Sequence, residues 1–109
     1  MKKSNINFKV SLNENKFPER IQWSADDSGV EGEKDCNSVM ISIWDSADKS
    51  TLRIDLWTDK MMIEEMQHFY YETLRSMADT YLRATNDEAT SKELTEFAKK
   101  FGKMASVLK

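Results

Sequence analysis

The chain has 109 residues, a formal net charge of −3 and a single cysteine. That length predicts one domain spanning residues 1–109. The charge leaves no basic face for nucleic acid and no polybasic membrane anchor, and one cysteine rules out an intrachain disulfide. Leu, Ile, Val and Phe together number only 22, with seven Met and three Trp supplying further apolar volume, so a folded domain with a plastic core is expected. Lys2 and Lys3 are not followed by the apolar stretch of a secretory signal, and no run approaches the roughly 18 apolar residues of a membrane helix. The expectation is a cytoplasmic protein with no direct membrane insertion.

Ile6, Phe8, Val10 and Leu12 alternate with polar residues, which predicts a strand with one buried face. Asn13 to Lys16 supplies turn chemistry, and Pro18 belongs at the margin of the next strand rather than inside it. In that short second strand, Ile21 and Trp23 alternate with Arg20, Gln22 and Ser24. From Ser24 to Ser38 five acids (Asp26, Asp27, Glu31, Glu33, Asp35) stand against Lys34 alone, so this stretch carries −4 and the rest of the chain +1. With Gly29 and Gly32 interrupting it, the stretch reads as a loop.

Val39, Ile41 and Ile43 predict a third strand, and Leu52, Ile54 and Leu56 a fourth, joined by a polar turn over 45–50. Short connections suggest an antiparallel meander. After Trp57 and Thr58 the apolar spacing changes from every second residue to every third or fourth, so a strand passes directly into a helix beginning near Ile63. Placed at about 100° steps, Ile63, Met66, Tyr70, Leu74, Met77 and Tyr81 form a central stripe flanked by Phe69, Tyr71 and Leu82. This arc is about twice what one sheet face requires, so the helix should touch a second helix or a partner chain as well. Thr85 and Glu88 have capping-box spacing for a second helix, with Asn86 a competing N-cap. Its seam is Leu94, Phe97, Ala98, Phe101, Met104, Ala105 and Leu108. Gly102 should weaken its interior by about 1 kcal/mol relative to Ala.

The fold expected is therefore α+β, a four-stranded, mostly antiparallel sheet with two C-terminal helices packed on one face.

No residue pattern points to a reaction. His68, the only histidine, projects opposite the apolar stripe near Glu64 and is expected at the surface. Cys36 lies among carboxylates, which raise a thiol pKa and disfavour the nucleophilic thiolate. One Cys and one His cannot furnish the usual zinc ligand set. The order Asp26-Asp27-Ser28-Gly29-Val30-Glu31 does not follow the EF-hand arrangement, and no P-loop or dinucleotide fingerprint occurs. No catalytic residue, metal ligand or cofactor is expected.

One surface stands out. If the aliphatics of strands three and four face the helices, then Met40, Ser42 and Trp44 face the other way, together with Arg53, Asp55 and Trp57. Two Trp, a Met and an Arg are residue types that dominate interface hot spots. Trp44, Arg53, Asp55 and Trp57 are accordingly the candidate partner-binding residues.

The block Leu52-Arg53-Ile54-Asp55-Leu56-Trp57-Thr58, with Glu65-Met66, Met77-Ala78-Asp79-Thr80 and Ala84-Thr85-Asn86-Asp87-Glu88, resembles the gliding motility protein GldC family. Glu19 to Ala25 and Ile43-Trp44-Asp45 are similar to the same family. The resemblance implies an accessory protein of the bacterial gliding machinery and brings no catalytic residues with it. The expected function is a non-enzymatic interaction module whose partners are other gliding-machinery proteins. A homodimer could use either the Trp-bearing face or the wide arc of the first helix. The alternative is a small-ligand binder or enzyme with a pocket between sheet and helices, motivated by Tyr70, Tyr71 and Tyr81.

Overall fold

A computed structural model describes all residues from Met1 to Lys109. The chain is α+β, with five strands followed by two helices, and it divides into two compact units, Met1–Met61 and Met62–Lys109.

In the first unit, β1 (Ile6–Leu12) pairs antiparallel with β2 (Pro18–Ala25) across the turn at Asn13. The Asn13 side-chain oxygen accepts from the backbone N–H groups of Asn15 and Phe17, and Lys16 adopts positive φ, so asparagine closes the hairpin with its own side chain. A loop containing Gly29 and Gly32, each at φ +77, leads to β3 (Lys34–Cys36). That strand pairs antiparallel with β2, Ile21 opposite Cys36 and Trp23 opposite Lys34. After Asn37 alone, β4 (Ser38–Asp45) begins and pairs antiparallel with β5 (Ser50–Trp57).

The expected four-stranded sheet is therefore corrected to two sheets, a three-stranded β1-β2-β3 and a two-stranded β4-β5. The reason lies in the chain from Lys34 to Asp45, which changes partner at Asn37. Its first part takes a place beside β2, and its second beside β5. Lys34-Asp35-Cys36 carries no apolar alternation, so nothing in its own pattern marks it as a strand. The pairing with β2 creates it, helped by the Arg20 guanidinium donating to the Asp35 carboxylate at 2.7 and 3.3 Å from the diagonal cross-strand position. Thr58, buried, ties the end of β5 to the same point, its N–H donating to the Asn37 carbonyl at 2.9 Å.

The face expected to be buried on β1 is also corrected. Every residue of β1 is exposed, although the register does gather Ile6, Phe8 and Val10 with Ala25, Trp23 and Ile21 on one face. In this unit Ile21 is the one large apolar side chain with 0% exposure. Along β4 and β5, Val39, Ile41 and Leu56 are half-buried, whereas Ile43, Leu52 and Ile54 nearer the hairpin turn are exposed.

In the second unit, α1 (Ile63–Thr85) and α2 (Glu88–Met104) are joined by Asn86 and Asp87 and pack on each other. Glu64 and Glu65 sit in the first turn of α1, where the helix dipole favours acids, and Glu65 accepts the Met62 N–H. The N-cap of α2 is Asp87 rather than Thr85 or Asn86, because Asn86 takes the left-handed conformation that ends α1. Thr85 turns its hydroxyl back to the Tyr81 carbonyl and accepts the Asp87 N–H. The helices meet through small residues. Ala78, Ser91, Ala98 and Gly102 are buried, and the Ser91 hydroxyl donates to the Ala78 carbonyl at 2.9 Å. Gly102 serves this packing, since a Cβ there would lie 2.8 Å from the Tyr71 ring and 2.9 Å from Leu108. The chain after α2 folds back, with Val107 and Leu108 both donating to the Gly102 carbonyl.

Candidate interaction surface

The register of β4 and β5 decides which side chains share a face. Ser38 lies opposite Trp57, Met40 opposite Asp55, Ser42 opposite Arg53 and Trp44 opposite Thr51. Directly opposed residues of antiparallel strands point to the same side, so Trp44, Arg53, Asp55 and Trp57 stand on one face of this hairpin. Trp44 is 62% and Trp57 47% exposed.

The charged pair between the two indoles is internally satisfied. Arg53 Nη2 lies 2.7 Å from Asp55 Oδ1 and Arg53 Nε 3.3 Å from Asp55 Oδ2, two positions along the same strand. Arg53 Nη1 also donates to the Ser42 hydroxyl. A guanidinium held at three nitrogens and a carboxylate held at both oxygens keep these hydrogen bonds when water is removed from above them, which offsets part of the cost of desolvating the pair. The pair lies between the two exposed indoles on this face. The sequence pattern locates the four residues but does not reveal Ser42 as the third partner of Arg53. The position of Ser42 along its strand is the only signal that points to it.

Other polar groups are arranged differently. In a depression beside the β3–β4 junction, Arg20 and Asp35 pair near Cys36 and Lys60. The hydrogen bond from Arg20 holds the Asp35 carboxyl below the usual carboxylate range. Burial, with a smaller contribution from the Asp35 charge, pushes the Cys36 thiol up, against the opposing pull of its hydrogen bond with the Ser38 backbone. His68 Nε2 lies 2.9 Å from Glu72 Oε1, one turn ahead, rather than beside Glu64, and both are exposed. No three His, Cys, Asp or Glu side chains gather where they could hold a metal ion.

The helical unit has an apolar surface of its own. Phe69, Thr73, Met77 and Tyr81 line a shallow depression formed by α1 alone. The centre and the Tyr71 flank of the same arc are used by α2, where Tyr70 stacks on Phe101 with ring centres 6.3 Å apart and Tyr71 packs on Gly102. The width of the arc thus has one of its expected partners, the second helix. No helix of the chain is long and apolar enough to cross a membrane.

Compared with known families, residues 18–107 match the family described as gliding motility-associated protein GldC-like. That span includes β2 to β5 and both helices. No curated protein and no solved structure gives a significant match.

Proposed function

The chain belongs to the GldC-like family of gliding motility-associated proteins, and from that membership we propose that it is a non-enzymatic accessory protein of the gliding machinery. In this reading it works in the cytoplasm as an interaction module and requires no cofactor. Its binding surface is the face of β4–β5 carrying Trp44, Arg53, Asp55 and Trp57, and the occupant is another protein of the machinery.

The observation that carries the reading is the exposure of Trp44 and Trp57 on either side of an ion pair already closed at 2.7 Å. Two exposed indoles offer large apolar area at small entropic cost, and Trp and Arg lead the residues on which interface energy concentrates. The intervening charges are pre-paired, so a partner need not supply a counter-ion.

The test is affinity capture from gliding cells with the wild-type chain and with Trp44→Ala/Trp57→Ala. Wild-type should retain gliding-machinery proteins and the double variant should lose them, while far-ultraviolet circular dichroism shows the variant still folded. A folded double variant retaining the same proteins would show that this face is not the binding surface.

A further inference from the structure

The β1 strand is the free edge of the three-stranded sheet, and its position is unusual in being unguarded. Edge strands normally discourage pairing by outward charges, proline, bulges or short length. β1 is seven residues long and contains no proline. Its one irregularity lies at the end, between Ser11 and Leu12. At the other end of the same sheet, β3 is only three residues long. The single charge on β1, Lys9, does not protect the edge either. Its ammonium reaches inward across β2 to Glu33, at 2.7 Å, and so turns away from the free side.

We propose that β1 pairs antiparallel with β1 of a second copy, joining two three-stranded sheets into one of six strands across a twofold axis. The sequence of the strand is self-complementary in this arrangement. Centred on Lys9, the pairing sets Ile6 opposite the partner's Leu12, Asn7 opposite the partner's Ser11 and Phe8 opposite the partner's Val10. Apolar residues meet apolar residues on one face, polar meet polar on the other, and a seven-residue strand is used along its whole length. The two Lys9 side chains share the polar face, but each is already neutralised by its own Glu33. Twofold self-pairing is also the commonest closed symmetry, and it leaves no free β1 edge on which a filament could grow.

A seam of seven residues per copy falls at the small end of specific interfaces. The dimer should therefore be reversible, forming and dissociating over an accessible concentration range. This surface is distinct from the Trp44/Trp57 face and does not depend on it.

Sedimentation velocity of the full chain over a dilution series should show monomer and dimer in exchange. Phe8→Glu places a charge in each apolar row and should raise the dissociation constant roughly a hundredfold, as expected for losing one large apolar contact per copy. Lys9→Cys in a Cys36→Ser background should form an intermolecular disulfide under mild oxidation, because opposed Cα atoms of antiparallel strands lie about 4.5–5.5 Å apart, within disulfide range. Asp48→Cys in the same background, in the turn after β4, should not cross-link. If Phe8→Glu fails to fold, the cross-link decides. A wild-type chain that stays monomeric throughout, or a dimer in which Lys9→Cys cross-links no better than Asp48→Cys, would overturn the proposal.

Discussion

Asp87 shows how much one side chain can arrange. Its carboxylate accepts the Thr90 N–H at 3.1 Å and the Tyr81 hydroxyl at 2.9 Å, so it starts α2 and fastens that start to α1. Hydrogen bonds from Thr90, hydroxyl and backbone, and then from Tyr81, hold this carboxyl below the usual range. A carboxyl with a depressed folded-state pKa contributes stability that is complete above its ordinary value, about 3.9. That contribution disappears as pH falls through the lowered folded value. Asp87→Ala removes the cap and should lower the melting temperature at neutral pH, read by helical circular dichroism of the whole chain. Asp87→Asn keeps a capping oxygen but cannot titrate, so it should melt with a flatter dependence on pH below 5 than wild-type. Equal acid slopes for the two would show that Asp87 is not the group responsible.

Between elements, the decisive contact is the approach of α2 to Tyr71 at Gly102. Propensity alone says that Gly102→Ala gains about 1 kcal/mol in a helix interior. Overpacking a close contact typically costs 1–3 kcal/mol, and the added Cβ would meet the Tyr71 ring at 2.8 Å and Leu108 at 2.9 Å. Tyr71 is buried and its ring has few other places to go, so the substitution should destabilise by about 1 kcal/mol net, with Gly102→Val much worse. Denaturant midpoints of the full chain read the sign directly, and a stabilised Gly102→Ala would show that Tyr71 and Leu108 yield freely. The role of this glycine was not legible in the sequence, where it appears only as a weak point in a helical pattern. What could be read was local: the alternation of β1, β4 and β5, the change of period after Trp57, and the shared face of Trp44, Arg53, Asp55 and Trp57. What could not be read depended on partners distant along the chain. Lys34-Asp35-Cys36 becomes a strand only beside β2. Asn37 divides one extended run between two sheets. The period-2 pattern of β1 says which residues share a face, but not whether that face is covered.

At the scale of the whole molecule, the chain carries two uncovered β surfaces of different chemistry. One is a row of aliphatic and aromatic residues on an unguarded edge, suited to a second copy. The other is a tryptophan-flanked ion pair on a separate hairpin, the surface proposed for a different protein. Because β1 and β4–β5 belong to different sheets, the two activities should separate by mutation. Trp44→Ala/Trp57→Ala should still sediment as a reversible dimer while losing its captured partners. Phe8→Glu should sediment as a monomer yet still bind the partner in solution with unchanged one-to-one affinity. The difference should appear on a surface densely coated with that partner, where a dimer binds through two faces. The second contact then forms at a high effective concentration, and apparent affinity can rise by about 10²–10⁴-fold without any new contact. Wild-type should accordingly dissociate from such a surface far more slowly than Phe8→Glu, and the gap should close as the coating density falls. If Phe8→Glu instead loses solution affinity as much as the tryptophan variant does, the partner reads the dimer itself, and the two surfaces form a single site.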